Sequence, residues 1–345
     1  MSNVVSLGDM EEESPDYEVK LLYPTQCLLG EGRSSQGSAF VKRVLLNRLL
    51  GPLYEPQTST LHFVDIIKHQ ILHYNAVNHE ITIDQFDKPI SCLAFRTNGI
   101  GFAVAAEGGF AIVEYENNLP CLKYIAEPLP EEQQPYTRFN DGACDPRGRF
   151  LAGTLFHKEE PHFNGSLYSY DPETKECKLL DNQDITDSNG LGWSPDGKTL
   201  YFTDSFHNHI YAYDYDVDTG NISNRRIFVD ALAQGLSSET FCDGLCFDDE
   251  GGLWSARWNG SCIARFRSDG TLDFTIRIPG ALHVTACTFG GPDNDLLYVT
   301  TARCGVIPGS GEPAQQEQYP NSGDLFVVDL KGRFHGGIWR YKFGG

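Results

Sequence analysis

The sequence predicts an all-β fold, a six-bladed β-propeller with a metal site at its centre. Six stretches share one form, in which a turn containing Pro, Gly, Asp or Asn precedes a bulky apolar or β-branched strand. They occupy residues 55–66, 96–106, 145–154, 194–205, 248–257 and 291–302. Their starts lie about 40 to 55 residues apart, a period typical of propeller blades built from four short strands. A two-sheet sandwich is the alternative, but it gives no reason for such a period.

The strands within each repeat follow from local signals. Gly or Asn at a turn tolerates positive φ, and the residues after it alternate in the manner of a strand. A second strand follows in some repeats, as in "SLYSYDP" (166–172) and "HIYAYDYD" (209–216). The last apolar segment, "DLFVVDL" (324–330), is expected to pair with "YEVKLLY" (17–23) and so to close the ring.

The charge of the chain narrows its partners. It has 345 residues, with 27 Lys and Arg against 47 Asp and Glu, which gives a formal net charge of −20. Nucleic acid is therefore not an expected partner, because binding it requires a basic surface. Part of the acidity lies in residues 1–16, interpreted as a disordered tail that precedes the propeller domain at 17–345.

Two further features of the composition concern location. No apolar run reaches the roughly 18 residues that a membrane helix requires, and no basic region followed by an apolar stretch marks a secretory signal. We therefore expect a cytoplasmic protein whose ten cysteines are reduced. No two of them form a CxxC pair, so we interpret them as small buried apolar side chains.

Asparagine or aspartate recurs at one place in the repeat, five residues before the turn. Asn140, Asn189 and Asp243 hold this position in three blades, and glycine follows each at once or one residue later. Equivalent positions in a propeller face one point on the central axis. Oxygen donors without nitrogen or sulfur suit a hard divalent cation such as Ca²⁺ or Mg²⁺. The alternative is that Asn-Gly and Asp-Gly are only turn dipeptides.

The first blade departs from this rule. Its fifth residue before the turn is Leu50, but removing residues 33–51 joins "GEG" to "PLYEP" and places Glu31 there instead. We therefore predict Glu31 as a fourth metal ligand and residues 33–51 as a 19-residue interruption of the blade, here called the inserted segment. The remaining two blades offer Ser91 and Ala286.

The inserted segment has its own character. It carries four basic residues, no acidic residue and apolar residues at helical spacing after Ser38, a suitable N-cap. This pattern predicts a short basic amphipathic helix. Three interpretations stay open: a cap over the tunnel, a contact with an anionic membrane, or an intervening segment retained in a gene model.

Several long motifs resemble one family. The stretches "RFNDGACDPRGRFLAGT", "SNGLGWSPDGKTLYFTDS" and "DGLCFDDEGGLWSARWNG" are similar to the SMP-30/gluconolactonase/luciferin-regenerating, or regucalcin-like, family. The resemblance extends from about Leu22 to Phe343 and so covers nearly the whole chain. It implies a six-bladed propeller with a divalent cation in its central tunnel, and lactone hydrolysis by many members.

The resemblance also assigns roles to individual residues. The metal ligands of the family fall on Glu31, Asn189 and Asp243. Its substrate-contacting pair falls on Arg138 and Asn140, and in related phosphotriesterase-type propellers the equivalent of Asn140 also binds the metal. Strand alternation points Arg138 and Asn140 the same way, so the guanidinium could hold an oxygen of the substrate. A salt bridge at the tunnel mouth is the alternative role for Arg138.

The predicted function is hydrolysis of a small-molecule lactone or related ester with one divalent cation. Ca²⁺ is the expected metal, with Mg²⁺, Mn²⁺ or Zn²⁺ as alternatives. Water attacks the polarised carbonyl with Asp243 as base, unless hydroxide on the cation is the nucleophile. Sugar specificity is open, because Lys158 stands where sugar-lactonase relatives have an acidic residue. A non-catalytic propeller that binds Ca²⁺ or a protein partner is the second hypothesis.

Overall fold

Six antiparallel sheets of four strands each form the blades of a β-propeller, which confirms the predicted fold class. The computed structural model describes residues 17–23, 32–33, 39–40, 49–156, 164–305 and 311–345. Five blades use four consecutive strands, so each blade is an up-and-down meander that begins at the centre and ends at the rim. The sixth blade takes its outermost strand from the N-terminal part of the chain.

The described elements are 26 strands and one short helix. In chain order they are β1 (Glu18–Tyr23), β2 (Gly32–Arg33), β3 (Ala39–Phe40), β4 (Leu49–Glu55), β5 (Thr60–Asp65), β6 (Gln70–Asn75), β7 (Ile81–Gln85), β8 (Ile90–Phe95), β9 (Phe102–Ala106), β10 (Phe110–Glu116), β11 (Leu119–Ala126), β12 (Thr137–Cys144), β13 (Phe150–Phe156), β14 (Leu167–Asp171), β15 (Glu176–Asp181), β16 (Ser188–Trp193), β17 (Thr199–Asp204), β18 (His209–Tyr215), β19 (Ile222–Asp230), β20 (Phe241–Phe247), β21 (Leu253–Trp258), β22 (Cys262–Phe266), β23 (Leu272–Arg277), β24 (His283–Gly290), β25 (Leu296–Ala302), α1 (Gln315–Gln318) and β26 (Leu325–Asp329).

Blades 1 to 5 are β4–β7, β8–β11, β12–β15, β16–β19 and β20–β23, and blade 6 is β24, β25, β26 and β1. The pairing of β1 with β26 is antiparallel and brings Val19 opposite Val328. The predicted closure of the ring by the two ends of the chain is therefore confirmed. In this pairing β1 covers the outer edge of β26, and the chain that leads from β1 into blade 1 joins the last blade to the first.

Apolar side chains pack between neighbouring blades. In one cluster Leu50 and Val64 of blade 1 join Val104 and Val113 of blade 2, and all four are fully buried. Both faces of the inner strands are covered in this way, so that β9, for example, is buried at every position. This burial explains why these strands are nearly continuous apolar runs with little polar alternation.

The inner strand of blade 1 corrects the predicted boundary of the inserted segment. Leu49 pairs with Asp65 and Leu50 with Val64, so Leu49 to Gly51 belong to β4 rather than to an interruption. Residues 39–40 form β3, paired with β2, where the spacing predicted the first turn of a helix. The positions 34–38 and 41–48, like the acidic tail at 1–16, lie outside the described residues. Within the described part of the chain, no helix is long and apolar enough to cross a membrane.

The C-terminal segment, residues 334–345, crosses the end of the propeller where the inner strands finish. Backbone hydrogen bonds join it to blades 6, 5, 4, 3 and 2. Gly337 donates to Phe247, Trp339 accepts from Trp193, and Tyr341 donates to Cys144. This segment, called the C-terminal strap, closes one end of the central channel.

We expect Trp339→Ala to lower the free energy of unfolding by about 3–5 kcal/mol, the usual cost of removing a buried tryptophan. Trp339 is 6% exposed and lies against Gly192 and Phe247. The neighbouring Ile338, which is 70% exposed, provides the control, because Ile338→Ala should change stability by less than about 0.5 kcal/mol. Urea unfolding of both variants is the measurement, and equal losses would contradict the buried position of the strap.

Candidate metal and substrate site

Three inner strands carry the predicted ligands at β-bulges, where the register with the next strand shifts. The pairing of β12 with β13 shifts between Phe139 and Gly142, and β16 and β20 shift at the equivalent places. Asn140, Asn189 and Asp243 lie in these bulges and are 0%, 2% and 2% exposed. A bulge turns a side chain away from its regular strand direction and is frequent near active sites. The repeat therefore places one buried polar side chain from each of three blades near the axis.

A chain of hydrogen bonds connects these three strands. The Nδ2 of Asn140 donates to the Ser188 carbonyl oxygen at 2.8 Å and to Asn189 Oδ1 at 3.2 Å. Asn189 Nδ2 donates to Ser205 Oγ at 2.8 Å, and Ser205 Oγ donates to the carbonyl oxygen of Cys242 at 2.7 Å. Cys242 immediately precedes the predicted base. The structure thus brings Asn140 and Asn189 into direct contact and places the strand of Asp243 next to them.

Glycines after the predicted ligands serve close packing between blades. A Cβ on Gly190 would lie 2.4 Å from the backbone nitrogen of Leu245, and one on Gly244 would lie 2.6 Å from Ala286 Cβ. Neither glycine has positive φ. These Asn-Gly and Asp-Gly pairs are therefore parts of strands, and their alternative interpretation as turn dipeptides is wrong.

Arg138 is fixed beside Asn140. Its Nη1 donates to Asn140 Oδ1 at 3.0 Å and to the Phe139 carbonyl oxygen at 2.8 Å, and the residue is 9% exposed. The predicted proximity of Arg138 and Asn140 is confirmed. A positive charge therefore lies at the edge of the site, attached to one of the predicted ligands.

The hydrogen bonds between inner strands identify the residue of blade 1 that lies at the level of Asn140. Ser91 Oγ donates to the carbonyl oxygen just before Asn140, at 2.7 Å. Thr285 Oγ1 donates in the same way to the carbonyl oxygen of Leu49, at 2.6 Å. Counted from these carbonyl oxygens, Leu50 corresponds in blade 1 to Asn140 in blade 3. The bulge of β4 begins one residue later, at Gly51, because Leu50 still pairs with Val64.

Blade 1 consequently offers an apolar side chain at this level. Leu50 is fully buried and packs with Val64 and Ile90. Glu31, the predicted fourth ligand, lies outside the described residues, so its role stays a prediction. In blade 6 the corresponding polar residue is Thr285 rather than Ala286. The register of β24 with β25 shifts between Val284 and Ala286, so the bulge residue lies one position before the one found by counting back from the turn.

The donors fit a hard cation in part. Asn140 and Asn189 supply amide oxygens and Asp243 a carboxylate, whereas Ca²⁺ takes 6–8 oxygen ligands. Each amide oxygen accepts one hydrogen bond, from Arg138 and Asn140 respectively, and keeps a second lone pair that could bind a cation. Among the described residues, no group of three or more His, Cys, Asp or Glu could hold a metal, so any such site depends on the asparagines.

Two polar residues beside the site were not predicted. Ser205 links Asn189 to blade 5, and Arg257, fully buried, donates from Nη1 to Cys242 Sγ at 2.7 Å. Burial raises the pKa of the Cys242 thiol, although the charge of Arg257 opposes the shift. The thiol is therefore protonated at neutral pH and is not a nucleophile. Of the nine cysteines described, six are buried and all are free, as predicted for cysteines that act as small apolar residues.

The floor of the channel is also charged. The C-terminal strap places Arg340 there, with Nη2 donating to the Pro52 carbonyl oxygen at 3.2 Å and the guanidinium 3.7 Å from the centroid of the Trp339 ring. Burial lowers the pKa of Arg340, and the negative charge of Asp141 opposes this shift. A cation at the floor makes the channel less acidic than the net charge of the chain suggests.

A family model and the most similar curated proteins point to the same family. Residues 50–303 match the model of the SMP-30/gluconolactonase/LRE-like region. Regucalcin from Xenopus laevis is 35% identical over 283 residues, which cover 80% of this chain and 89% of that protein. Human regucalcin is 32% identical over 282 residues, with the same two coverages.

Solved structures show the same architecture. A luciferin-regenerating enzyme superposes with a TM-score of 0.77 and 29% identity, covering 87% of this chain and 96% of the other. A calcium-binding protein, regucalcin from Agrobacterium tumefaciens, gives a TM-score of 0.74 and 25% identity, covering 87% and 95%. The aligned region includes most of the propeller.

Proposed function

Because the chain belongs to the SMP-30/gluconolactonase/LRE-like family, we propose that it hydrolyses a lactone or related carboxylic ester at the site of Asn140, Asn189 and Asp243. The observation that carries this proposal is the contact between Asn140 and Asn189, with Arg138 bound to the first of them. It joins two amide oxygens and a guanidinium at the level of a buried carboxylate. Such a group can hold a carbonyl substrate and a water molecule side by side.

The oxygen donors of the site indicate which metal ion it would bind. Asn140, Asn189 and Asp243, with Glu31 as the predicted fourth ligand, would hold one divalent cation, and we propose Ca²⁺ first because a relative of 25% identity is described as calcium-binding. When bound, the cation supplies positive charge that polarises the carbonyl group and stabilises the negative oxygen formed on attack.

The chain's own groups orient the substrate and transfer the proton. Arg138, held by Asn140, directs its guanidinium at an oxygen of the substrate and limits its rotation. Asp243 accepts a proton from water as the oxygen of that water forms a bond to the carbonyl carbon. The ring C–O bond then breaks, and the leaving alkoxide takes the proton from the Asp243 carboxyl group. Burial of Asp243 limits competing water.

A screen of lactones and esters tests the proposal. The protein is assayed after EDTA treatment and again with Ca²⁺, Mg²⁺, Mn²⁺ or Zn²⁺ added. We expect hydrolysis of at least one compound that EDTA abolishes and one of these ions restores. Absence of hydrolysis under every condition would overturn the proposed activity.

Arg138→Lys should raise KM by about 10-fold, because an ammonium group cannot replace the planar fork of the guanidinium at a substrate oxygen. Binding of the metal ion, measured by calorimetry without substrate, should stay unchanged. Arg226→Lys, at an exposed ion pair with Asp214, is the matched control and should leave both quantities unchanged. A loss of metal affinity in Arg138→Lys with KM unchanged would assign Arg138 a structural role instead.

One observation favours a second candidate, a non-catalytic propeller that binds Ca²⁺. The regucalcin of Agrobacterium tumefaciens, 25% identical to this chain, is described as a calcium-binding protein, and binding an ion requires no catalytic base. The same screen separates the two candidates. Calorimetric binding of Ca²⁺ without turnover of any lactone or ester would favour the non-catalytic protein.

A further inference from the structure

Three phenylalanine rings form a continuous surface across blades 3, 4 and 5. The ring centroids of Phe156 and Phe206 lie 6.2 Å apart, and those of Phe206 and Phe241 lie 5.8 Å apart. Phe206 is 53% exposed, whereas the other two are partly buried. We call this surface the aromatic wall.

The aromatic wall is carried by residues that are next in sequence to the candidate site. Phe206 follows Ser205, whose hydroxyl accepts the hydrogen bond from Asn189. Phe241 precedes Cys242, whose carbonyl oxygen accepts the hydrogen bond from Ser205. Two of the three rings are therefore carried by the residues adjacent to the hydrogen-bond chain that joins Asn189 to blade 5.

The third ring is anchored to the same group of strands. Phe156 is the register partner of Thr137, the residue that precedes Arg138. The aromatic surface also continues beyond Phe241. That residue is the register partner of Trp258, whose ring stacks on His283 with centroids 4.2 Å apart. Aromatic residues thus lie on blades 3 to 6 at one end of the propeller, the end opposite the C-terminal strap.

Packing alone does not account for the wall. A phenylalanine that leaves half of its surface in water forgoes much of the stabilisation that burial provides, and exposed apolar patches beside a polar site mark ligand contacts. Phenylalanine rings offer no strong hydrogen-bond donor or acceptor. A hydroxyl group placed against them would lose a water partner and gain none, whereas an apolar group would gain contact area.

We infer that the aromatic wall binds an apolar aryl or alkyl substituent of the substrate, next to the carbonyl group held at Arg138 and Asp243. The substrate class is then an aryl or alkyl lactone or ester rather than a polyhydroxylated sugar lactone. This inference rests on the proposed hydrolase function. It assigns Phe206 and Phe241 as specificity-determining residues that touch the part of the substrate away from the reacting bond.

The test compares two lactones, 3,4-dihydrocoumarin and δ-gluconolactone, with the wild-type protein and the variants Phe206→Ala and Phe241→Ala. We expect the wild type to prefer dihydrocoumarin and each variant to lose about 10-fold in kcat/KM for it, with less than about a 2-fold change for gluconolactone. Phe206→Leu, which keeps an apolar side chain, should retain most of the activity. Ile100→Ala, at an exposed apolar residue on the opposite end of the propeller, should change neither rate.

Binding without turnover separates this inference from the proposed function. The lactam 3,4-dihydro-2-quinolinone has the shape of dihydrocoumarin but resists hydrolysis, and ligand-observed NMR measures its binding in EDTA. Weaker binding in Phe206→Ala than in Ile100→Ala supports the wall. Hydrolysis of gluconolactone alone, unaffected by Phe206→Ala, overturns the inference and leaves the hydrolase function intact. No hydrolysis of either lactone with any cation overturns the function, and the lactam result then decides the wall by itself.

Discussion

Asp243→Asn is expected to reduce kcat for lactone hydrolysis by at least about 10³-fold, the scale of losing an acid–base group together with its charge. Asparagine has the same shape as aspartate, so the bulge of β20 and its packing should persist. It cannot accept a proton from water at neutral pH, and it provides no negative charge for a cation. The measurement is steady-state hydrolysis of the compound identified in the screen, with calorimetry of the metal ion in parallel.

A matched substitution controls for the loss of one negative charge. Asp196 lies in an exposed turn, where hydrogen bonds from Ser194 and the Lys198 backbone lower the pKa of its carboxyl group. Asp196→Asn should leave kcat and metal affinity unchanged. Near-normal turnover in Asp243→Asn, with an unchanged melting temperature, would show that another group accepts the proton.

Deleting residues 33–51 is expected to create a tighter cation site at some cost in stability. The deletion joins Gly32 to Pro52 and places Glu31 where Leu50 now stands. Loop shortening recovers only about 1 kcal/mol, whereas the loss of buried Leu49 and Leu50 costs about 2–5 kcal/mol for each. We therefore expect a lower melting temperature in EDTA and a marked rise when Ca²⁺ is added.

The same deletion carrying Glu31→Leu is the control, because it restores leucine at this position without restoring the segment. The deletion with Glu31 should bind Ca²⁺ about 10- to 100-fold more tightly than its Glu31→Leu counterpart, the usual gain from one additional charged ligand. Calorimetry of both proteins decides the matter. Equal affinities would show that Glu31 is not a ligand in this blade, and a deletion that does not fold would show that residues 33–51 are an integral part of the blade.

The fold was predictable because its signals are local and repeated. Each turn and the strand after it recur in all six blades, and the apolar ends "DLFVVDL" and "YEVKLLY" had no other partner to close the ring. Asn140, Asn189 and Asp243 were predicted as ligands for the same reason, since they recur at one distance before the turn. Repetition supplied the information that a single Asn-Gly pair lacks.

Features without repetition were missed or misplaced. The sequence offers two stretches that could precede Pro52 in the blade, "LLGEG" at 28–32 and "NRLLG" at 47–51, and the first was chosen. Leu49 to Gly51 were therefore assigned to the inserted segment. Only the pairing of β4 with β5 shows that they belong to the blade. Ser205 and Phe206 lie in a turn whose sequence is unlike that of the other blades, so they do not recur at a fixed distance in the repeat and were not predicted. The C-terminal strap forms backbone hydrogen bonds with residues from five blades, and such long-range pairing leaves no local pattern.

The C-terminal strap and the pairing of β1 with β26 have a consequence for synthesis of the protein. Both use residues that follow blade 5 in the chain, so during synthesis β1 has no strand partner until β26 has emerged from the ribosome. Domains fold as the chain emerges, and unpaired strand edges at that stage invite association with other chains. In the interval between completion of blade 5 and emergence of β26 and the C-terminal strap, the unpaired edge of β1 is therefore open to aggregation, and a chaperone would protect the chain at that stage.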